Sequence, residues 1–324
     1  MVTRARIPDE VLAAAHARSR ARAERDWPEA DRLRAEIESA GWKVVDRGTD
    51  FALAPAVPPD VVVDGRVLYG SSASVPSRLE AAPVGTATVV IVAPDEIEWL
   101  EATLSGLRDH APDGVQIVIA ADAADARQAP ALAALDALDP GGPGVATEVV
   151  WTREALGYAA ALNAAIRRAQ GPIVMILEPG VAVSGDVVSP LVGALDDRSV
   201  AVAGAWGLTG EDVTRLDEAS AGDVDAIDGG CLAFRRADYV ARGPLDEAFR
   251  VGRHLDVWWS LALRDGGEGE LSRSAVALGG LPIDRLRSAP DPALARVAKR
   301  NGYRLRDRFG RRSDLLSAGS DGLP

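Results

Sequence analysis

The sequence predicts an α/β fold for residues 86–288, a mostly parallel sheet covered by helices. Three observations predict it. From Thr86 onward, short apolar runs alternate with stretches whose apolar residues recur at three-and-four spacing. The runs 88–93, 115–120 and 173–177 are almost continuously apolar, as strands buried on both faces are. Breaker pairs such as Gly171-Pro172, and the turn Glu178-Pro179-Gly180, separate the segments.

Ahead of that domain, residues 9–41 read as a helical hairpin. Val11, Leu12 and Ala15 begin one apolar face. Arg18, Arg20, Arg22 and Arg25 alternate with Ala and Ser, so they do not all lie on one helical face. Asp26 and Glu29 have capping-box spacing, with Pro28 in the first turn of the second helix. Ala30, Leu33 and Ile37 form its buried stripe, and Gly41 is its stop. Residues 43–53 then read as a β-hairpin turning near Gly48, which closes a first unit at 1–54. The connector 55–85 is rich in Pro, Ser and Ala. Within it, 61–63 and 66–69 flank Asp64-Gly65, a tight-turn signal.

In the main domain the first strand, 88–93, is followed by an amphipathic helix marked by Ile97, Leu100, Leu104 and Leu107. The second strand, 115–120, ends at Asp122. Residues 129–144 hold a short Ala/Leu helix and a Pro/Gly loop, and 148–151 is a third strand. Leu162, Ala165, Ile166 and Ala169 mark the next helix, which Gly171-Pro172 stops. The strand at 173–177 ends in Glu178. Ligands in open α/β sheets sit at the carboxyl ends of strands. Glu178 is placed there either to meet a metal or a sugar or to cap the next turn. Gly229-Gly230 opens a later strand, either to let backbone approach a ligand or as a plain β-bulge. The basic tail, 289–324, carries arginines that suit diphosphates and anionic lipid headgroups or form a solvated face.

Composition narrows the function classes. The net charge is -12, and Lys43 and Lys299 are the two lysines among 36 basic residues. Residues 284–312 carry ten basic and three acidic side chains, a net of +7, which leaves -19 for the rest. An acidic body argues against nucleic acid as a partner. No run approaches eighteen apolar residues, no apolar leader is visible, and the lone Cys231 forms no internal disulfide. A cytoplasmic protein is expected. Phosphate-binding loops, dinucleotide fingerprints, zinc patterns and nucleophile elbows are absent from the sequence.

The residues Gly157, Asn163, Ala169 and Gly171, followed by an apolar strand and an acidic turn, resemble family 2 glycosyltransferases. So do Asp228-Gly229-Gly230 through Arg236, Gly243 through Phe249, and His254-Leu255-Asp256 through Gly266. The resemblance covers roughly 86–288. It implies a GT-A fold, a nucleotide-diphosphate sugar donor, a glycan, lipid or small-molecule acceptor, and work in cell-envelope glycan synthesis. It places Pro94, Asp95, Glu96, Asp122, Gly157, Asn163, Glu178, Gly229 and Gly230 at the donor. It makes Asp256 the catalytic base and Glu178 the ligand of a divalent cation, Mg²⁺ or Mn²⁺. Three positions depart from the pattern. The usual Asp-x-Asp turn reads Glu178-Pro179-Gly180, Leu255 replaces an acid, and Ala121 stands where a base-contacting Asp is usual, with Asp122 one step later.

Inverting transfer needs a base on the acceptor hydroxyl, positive charge on the departing diphosphate and in-line positioning. Asp256, at the start of a helix, serves as that base or only as a cap. His254 is a metal or phosphate ligand or a capping residue; Cys231 reads as inert core. A non-catalytic binding protein is the alternative that Ala121, Gly180 and Leu255 motivate. The segment Arg22 to Asp46 is similar to the C-terminal helical module of cysteinyl-tRNA synthetases. That similarity raises a third reading, an RNA- or synthetase-associated adaptor, against which the even charge of residues 1–50 argues.

Overall fold

A computed structural model describes residues 7–47, 50–136, 145–267, 272–285 and 292–317. The turn at Gly48, the Pro/Gly loop at 137–144 and the last residues of the tail lie outside the described residues. The chain divides into two compact units, Met1–Ser71 and Ser72–Pro324.

The first unit opens with α1 (Asp9–Ala23) and α2 (Trp27–Ser39). The carboxylate of Asp26 accepts the Glu29 N–H at 3.1 Å, which caps α2. Val11, Ala15, Leu33, Ile37 and Trp42 form the unit's own core. Leu12, expected inside, is 40% exposed. The buried face of α1 runs instead through Val11, Ala14, Ala15 and Arg18, one helical stripe of three-and-four spacing. Arg18 is accommodated there because its guanidinium pairs with Asp46 at 2.9 Å. Asp46 lies on β1 (Trp42–Arg47), which pairs with β2 (Asp50–Pro55). A second hairpin joins β3 (Val61–Val63) to β4 (Arg66–Tyr69). Asp64 and Gly65 both have left-handed φ, +50° and +79°, as a two-residue hairpin turn requires.

The second unit begins with β5 (Ala87–Val92), α3 (Ile97–His110), β6 (Val115–Ala121), α4 (Gln128–Asp136) and β7 (Ala146–Thr152). Next come α5 (Tyr158–Ile166), β8 (Ile173–Leu177), β9 (Val181–Val183), α6 (Val188–Ala194) and β10 (Val200–Gly204). Short strands β11 (Gly207–Asp212), β12 (Arg215–Ala219), β13 (Gly222–Val224) and β14 (Ala226–Ile227) lead to β15 (Cys231–Arg235) and α7 (Arg236–Arg242). Last are α8 (Leu255–Arg264), β16 (Ser274–Ala277), β17 (Ile283–Arg285) and α9 (Pro292–Phe309).

Within this unit the central sheet runs β13-β16-β10-β15-β8-β5-β6-β7. β8, β5, β6 and β7 are parallel, and so are β10 and β16. β15 lies antiparallel between β8 and β10. Every residue of β6 and β8 is buried, which accounts for a sequence that is apolar throughout except at Gln116, whose amide bonds Thr88 and the Arg168 carbonyl.

Two elements differ from expectation. α5 ends at Ile166, before Gly171. The chain then runs against β5, where the N–H groups of Gln170 and Gly171 donate to the Thr88 hydroxyl. A Cβ on Gly171 would lie 2.5 Å from the Ala87 carbonyl carbon, so glycine is required by close approach as much as by helix termination. The basic tail is a packed helix: Asn301, Leu305 and Phe309 of α9 are buried. Asn301 donates to the carbonyls of Val251 and Arg253 at 3.0 and 2.8 Å. Phe309 meets Trp258 of α8 edge-on at 6.3 Å. Among the described residues no helix is long and apolar enough to cross a membrane.

Candidate active site

The carboxyl ends of β5, β6 and β8 deliver the turns 93–96, Asp122 and Glu178 to one side of the sheet. Two adjoining cavities open there, of about 360 and 490 Å³, and Glu178 and Asp228 line both. The smaller is also lined by Tyr158, Gly229, Leu245, Leu255, Asp256 and Trp259. The larger is lined by Pro94, Glu96, Trp99, Gly180, Gly230 and Arg285.

Glu178 leaves the ladder just after Leu177 pairs with Cys231, and its N–H donates to the Gly230 carbonyl at 3.1 Å. This fixes the carboxylate at the mouth of the strand. It is open to the cleft yet ringed by protein. Burial first, and then the Asp228 charge, raise its pKa, against the opposing pull of Arg285.

Asp256 stands in the first turn of α8, after His254 takes a left-handed φ of +69°. One carboxylate oxygen accepts the Val257 N–H at 2.9 Å and the other the Gly229 N–H at 3.1 Å. Burial and the neighbouring Asp228 push its pKa up to about 7, with Glu178 adding to the rise and the two N–H groups opposing it. Tyr158 is driven well above its ordinary value by burial and by the charges of Glu178, Asp256 and Asp228. Its hydroxyl therefore stays protonated in the smaller cavity.

The glycine pair has an internal task. The Gly229 N–H binds Asp256, and the Gly230 N–H binds Asp228 at 2.8 Å. The two amides orient carboxylates, and neither is left to meet a donor.

The remaining expected donor residues separate. Pro94 and Glu96 line the larger cavity. Asp95 is exposed on the same turn and lines neither cavity. Asp122 accepts the Thr152 hydroxyl and the N–H groups of Leu156 and Gly157 at 2.8, 2.8 and 3.0 Å. It anchors the entry to α5, where Gly157 has φ +92°. Asn163, expected at the donor, is corrected to an interior role. It is 2% exposed; its amide donates to Leu245 and Glu247 and its oxygen accepts from Tyr239 and the Leu245 N–H. No bonding capacity remains for a ligand. His254 faces α9, where a Cβ on Gly302 would sit 3.5 Å from its Nε2. The Cys231 thiol is buried and pushed up to about 12.

Sequence reasoning did not place Asp228, Tyr158, Trp99 or Arg285 at the site. Asp228 was readable beside its glycines. Arg285 was not, because only the antiparallel pairing of β17 with β9, Arg285 against Val181, brings it to the cleft.

A divalent metal fits poorly. Among the described residues no three His, Cys, Asp or Glu side chains cluster as ligands. Gly180, where a second acid is usual, has φ +85°, and a Cβ on it would lie 2.0 Å from the Trp99 ring. Asp228, which lines the same cavity, is paired with Arg285 at 2.6 Å. The expectation that Glu178 holds Mg²⁺ or Mn²⁺ therefore lacks supporting ligands among the described residues.

Residues 88–238, just under half of the chain, match the family model for Glycosyl transferase family 2. A search of curated proteins returns no match. A crystal structure of GalNAc-T7 with UDP, GalNAc and Mn²⁺ is similar with TM-score 0.54 and 15% identity, over 69% of this chain and 48% of that one. The present chain thus spans about half the length of that protein. The mannosyltransferase PcManGT from Pyrobaculum calidifontis, in complex with GDP-Man and Mn²⁺, is similar with TM-score 0.45 and 16% identity, covering 78% and 79% of the two chains. S. aureus TarS 1-349 is similar with TM-score 0.41 and 11% identity, covering 59% and 60%. The architecture of the second unit is the GT-A fold, and its residues 88–238 are similar to the family 2 model.

Proposed function

We propose that the protein transfers a sugar from a nucleotide-diphosphate sugar to an acceptor hydroxyl, with inversion at the anomeric carbon. The observation that carries this reading is the Asp256 carboxylate in the same cavity as Glu178, with a pKa raised to about 7. A base poised near the working pH abstracts a proton most effectively. The acceptor oxygen attacks the anomeric carbon as Asp256 takes its proton. The bond from that carbon to the diphosphate oxygen breaks on the opposite face, and its electron pair leaves with the nucleoside diphosphate. Leu162, Leu232 and Leu245 supply the apolar lining of the smaller cavity. The protonated Tyr158 hydroxyl offers a donor to sugar oxygens. A glycan, a lipid or a small molecule supplies the acceptor hydroxyl.

The test is turnover of UDP-, GDP- and TDP-sugars, read as release of nucleoside diphosphate and as sugar on the acceptor. Asp256→Asn should reduce release by roughly 10²–10⁴-fold, the usual contribution of a general base, while donor affinity stays within a few-fold. Release unchanged in Asp256→Asn would sink the assignment. The second reading, binding without turnover, is favoured by Gly180 and Leu255, where acids are usual. Donor binding with no release from any sugar would select it.

A further inference from the structure

Resting on the donor reading above, we infer that the donor's diphosphate is held by the Arg285 guanidinium in place of a divalent cation, so that donor binding in this chain is independent of metal. Three features of the larger cavity lead there. The first is steric. The place a second carboxylate would take at Gly180 is filled by the Trp99 indole, and the Gly180 N–H is tied to the Thr103 hydroxyl at 3.2 Å. The turn is locked in a form that takes no side chain.

The second feature is electrostatic. Arg285 lies beside Val181, one residue past Gly180, because β17 pairs with β9 in that register. Its guanidinium contacts Asp228 at 2.6 Å and lines the same cavity as Glu178. A positive charge already stands against Asp228, in the cavity that Glu178 lines. A divalent cation there would meet the guanidinium's repulsion and compete with it for Asp228.

The third is preorganisation. The guanidinium carbon stacks 4.1 Å from the centroid of the Trp206 ring, and a flat cation held on an aromatic face keeps its donor edge in a fixed plane. A guanidinium has five N–H donors. Asp228 takes one, and the contact to Glu218 is long, 3.4 Å, on a side chain 63% exposed. An incoming diphosphate would meet a fork already shaped for paired oxygens.

The experiment is calorimetric titration of the full chain with UDP, GDP, TDP and inorganic pyrophosphate, in EDTA and again in Mn²⁺. At least one nucleoside diphosphate should bind in EDTA, with its Kd changing by less than about threefold on adding Mn²⁺. A charge-assisted hydrogen bond lost from a site costs roughly ten- to a hundredfold in affinity. Arg285→Ala should show that loss in EDTA, Arg285→Lys should recover part of it, and pyrophosphate should lose affinity in parallel. Thermal melts of each variant check folding, and Arg285→Gln serves as a second variant should Arg285→Ala melt early. Binding that requires Mn²⁺ and ignores Arg285→Ala would overturn the inference and leave the donor reading standing. No binding of any nucleoside diphosphate under either condition would overturn both.

Discussion

Asp256 is held in a surrounding that disfavours its charge, and the consequence reaches both activity and stability. Two N–H groups stabilise the anion, but burial and Asp228 outweigh them and lift the pKa from 3.8 to about 7. If Asp256 is the base, kcat/KM should rise with pH through a limb near 7. A flat profile between pH 5 and pH 8 would remove it from that role. The linkage has a definite sign. Between about pH 4 and pH 7 the folded chain holds a proton on Asp256 that the unfolded chain has released, so stability falls as pH rises through that window. Asp256→Asn should therefore melt higher than the parent at pH 8, with the gap closing toward pH 4. Gly180 gives a second residue-scale prediction. Installing Asp there must displace the Trp99 ring and accept φ +85°. Gly180→Asp should lower stability by about 1–3 kcal/mol, as overpacking does, and should not confer Mn²⁺-dependent binding. A melting temperature unchanged in the variant would contradict the locked turn.

Elements were legible in proportion to how far their own residues determine them. Strands β5, β6 and β8 announced themselves because burial on both faces demands a nearly continuous apolar run, broken only where Thr88 and Gln116 bond each other, and α3 because one face of Leu100, Leu104 and Leu107 is buried. The end of α5 was misplaced because the chain leaves the helix to pack on β5, a tertiary demand that spacing does not record. The role of Asn163 was hidden for the same reason. Its partners, Tyr239, Leu245 and Glu247, come from about eighty residues further along the chain. That network ties α5 to α7 and to the loop after it. Asn163→Leu would leave the Tyr239 hydroxyl and the Leu245 N–H unsatisfied in the interior, at roughly 1–3 kcal/mol for each such group. The expected result is a melting transition several degrees lower with nucleotide affinity preserved in the folded protein. Selective loss of nucleotide binding at unchanged stability would return Asn163 to the donor. The positions of Glu178 at a strand end and of Asp256 at a helix start, which line one cavity, were legible from the turn and the helix signals. Arg285 was hidden because a three-residue strand, paired across about a hundred positions, brings it there.

At the scale of the molecule, charge and cohesion are unevenly distributed, and the hairpin unit is the clearest case. Residues 1–50 are electrically balanced, with ten basic and ten acidic side chains, while 284–312 hold a net +7 against an acidic remainder. The helices and first strand pair at 9–55 satisfy their own needs. Val11, Leu33, Ile37 and Trp42 close a core, Asp26 caps α2, and Arg18 is neutralised by Asp46 within the same segment. Burial of several apolar side chains, each contributing about 1.5–3 kcal/mol, is matched there to a cap and an ion pair made within the same segment. The carboxylates, Arg285 and both cavities of the second unit are contributed by residues after 93. Deleting residues 1–54 should therefore leave a chain that folds cooperatively, with the circular dichroism of a mixed α/β protein. The same nucleoside diphosphates should bind within about threefold of the parent Kd, since roughly 0.7 kcal/mol separates affinities that differ by that factor. The measurements are a thermal melt and a calorimetric titration of the truncated chain. A truncated protein that is unfolded, or folded but unable to bind, would make the hairpin unit part of what sustains the sheet or the cleft.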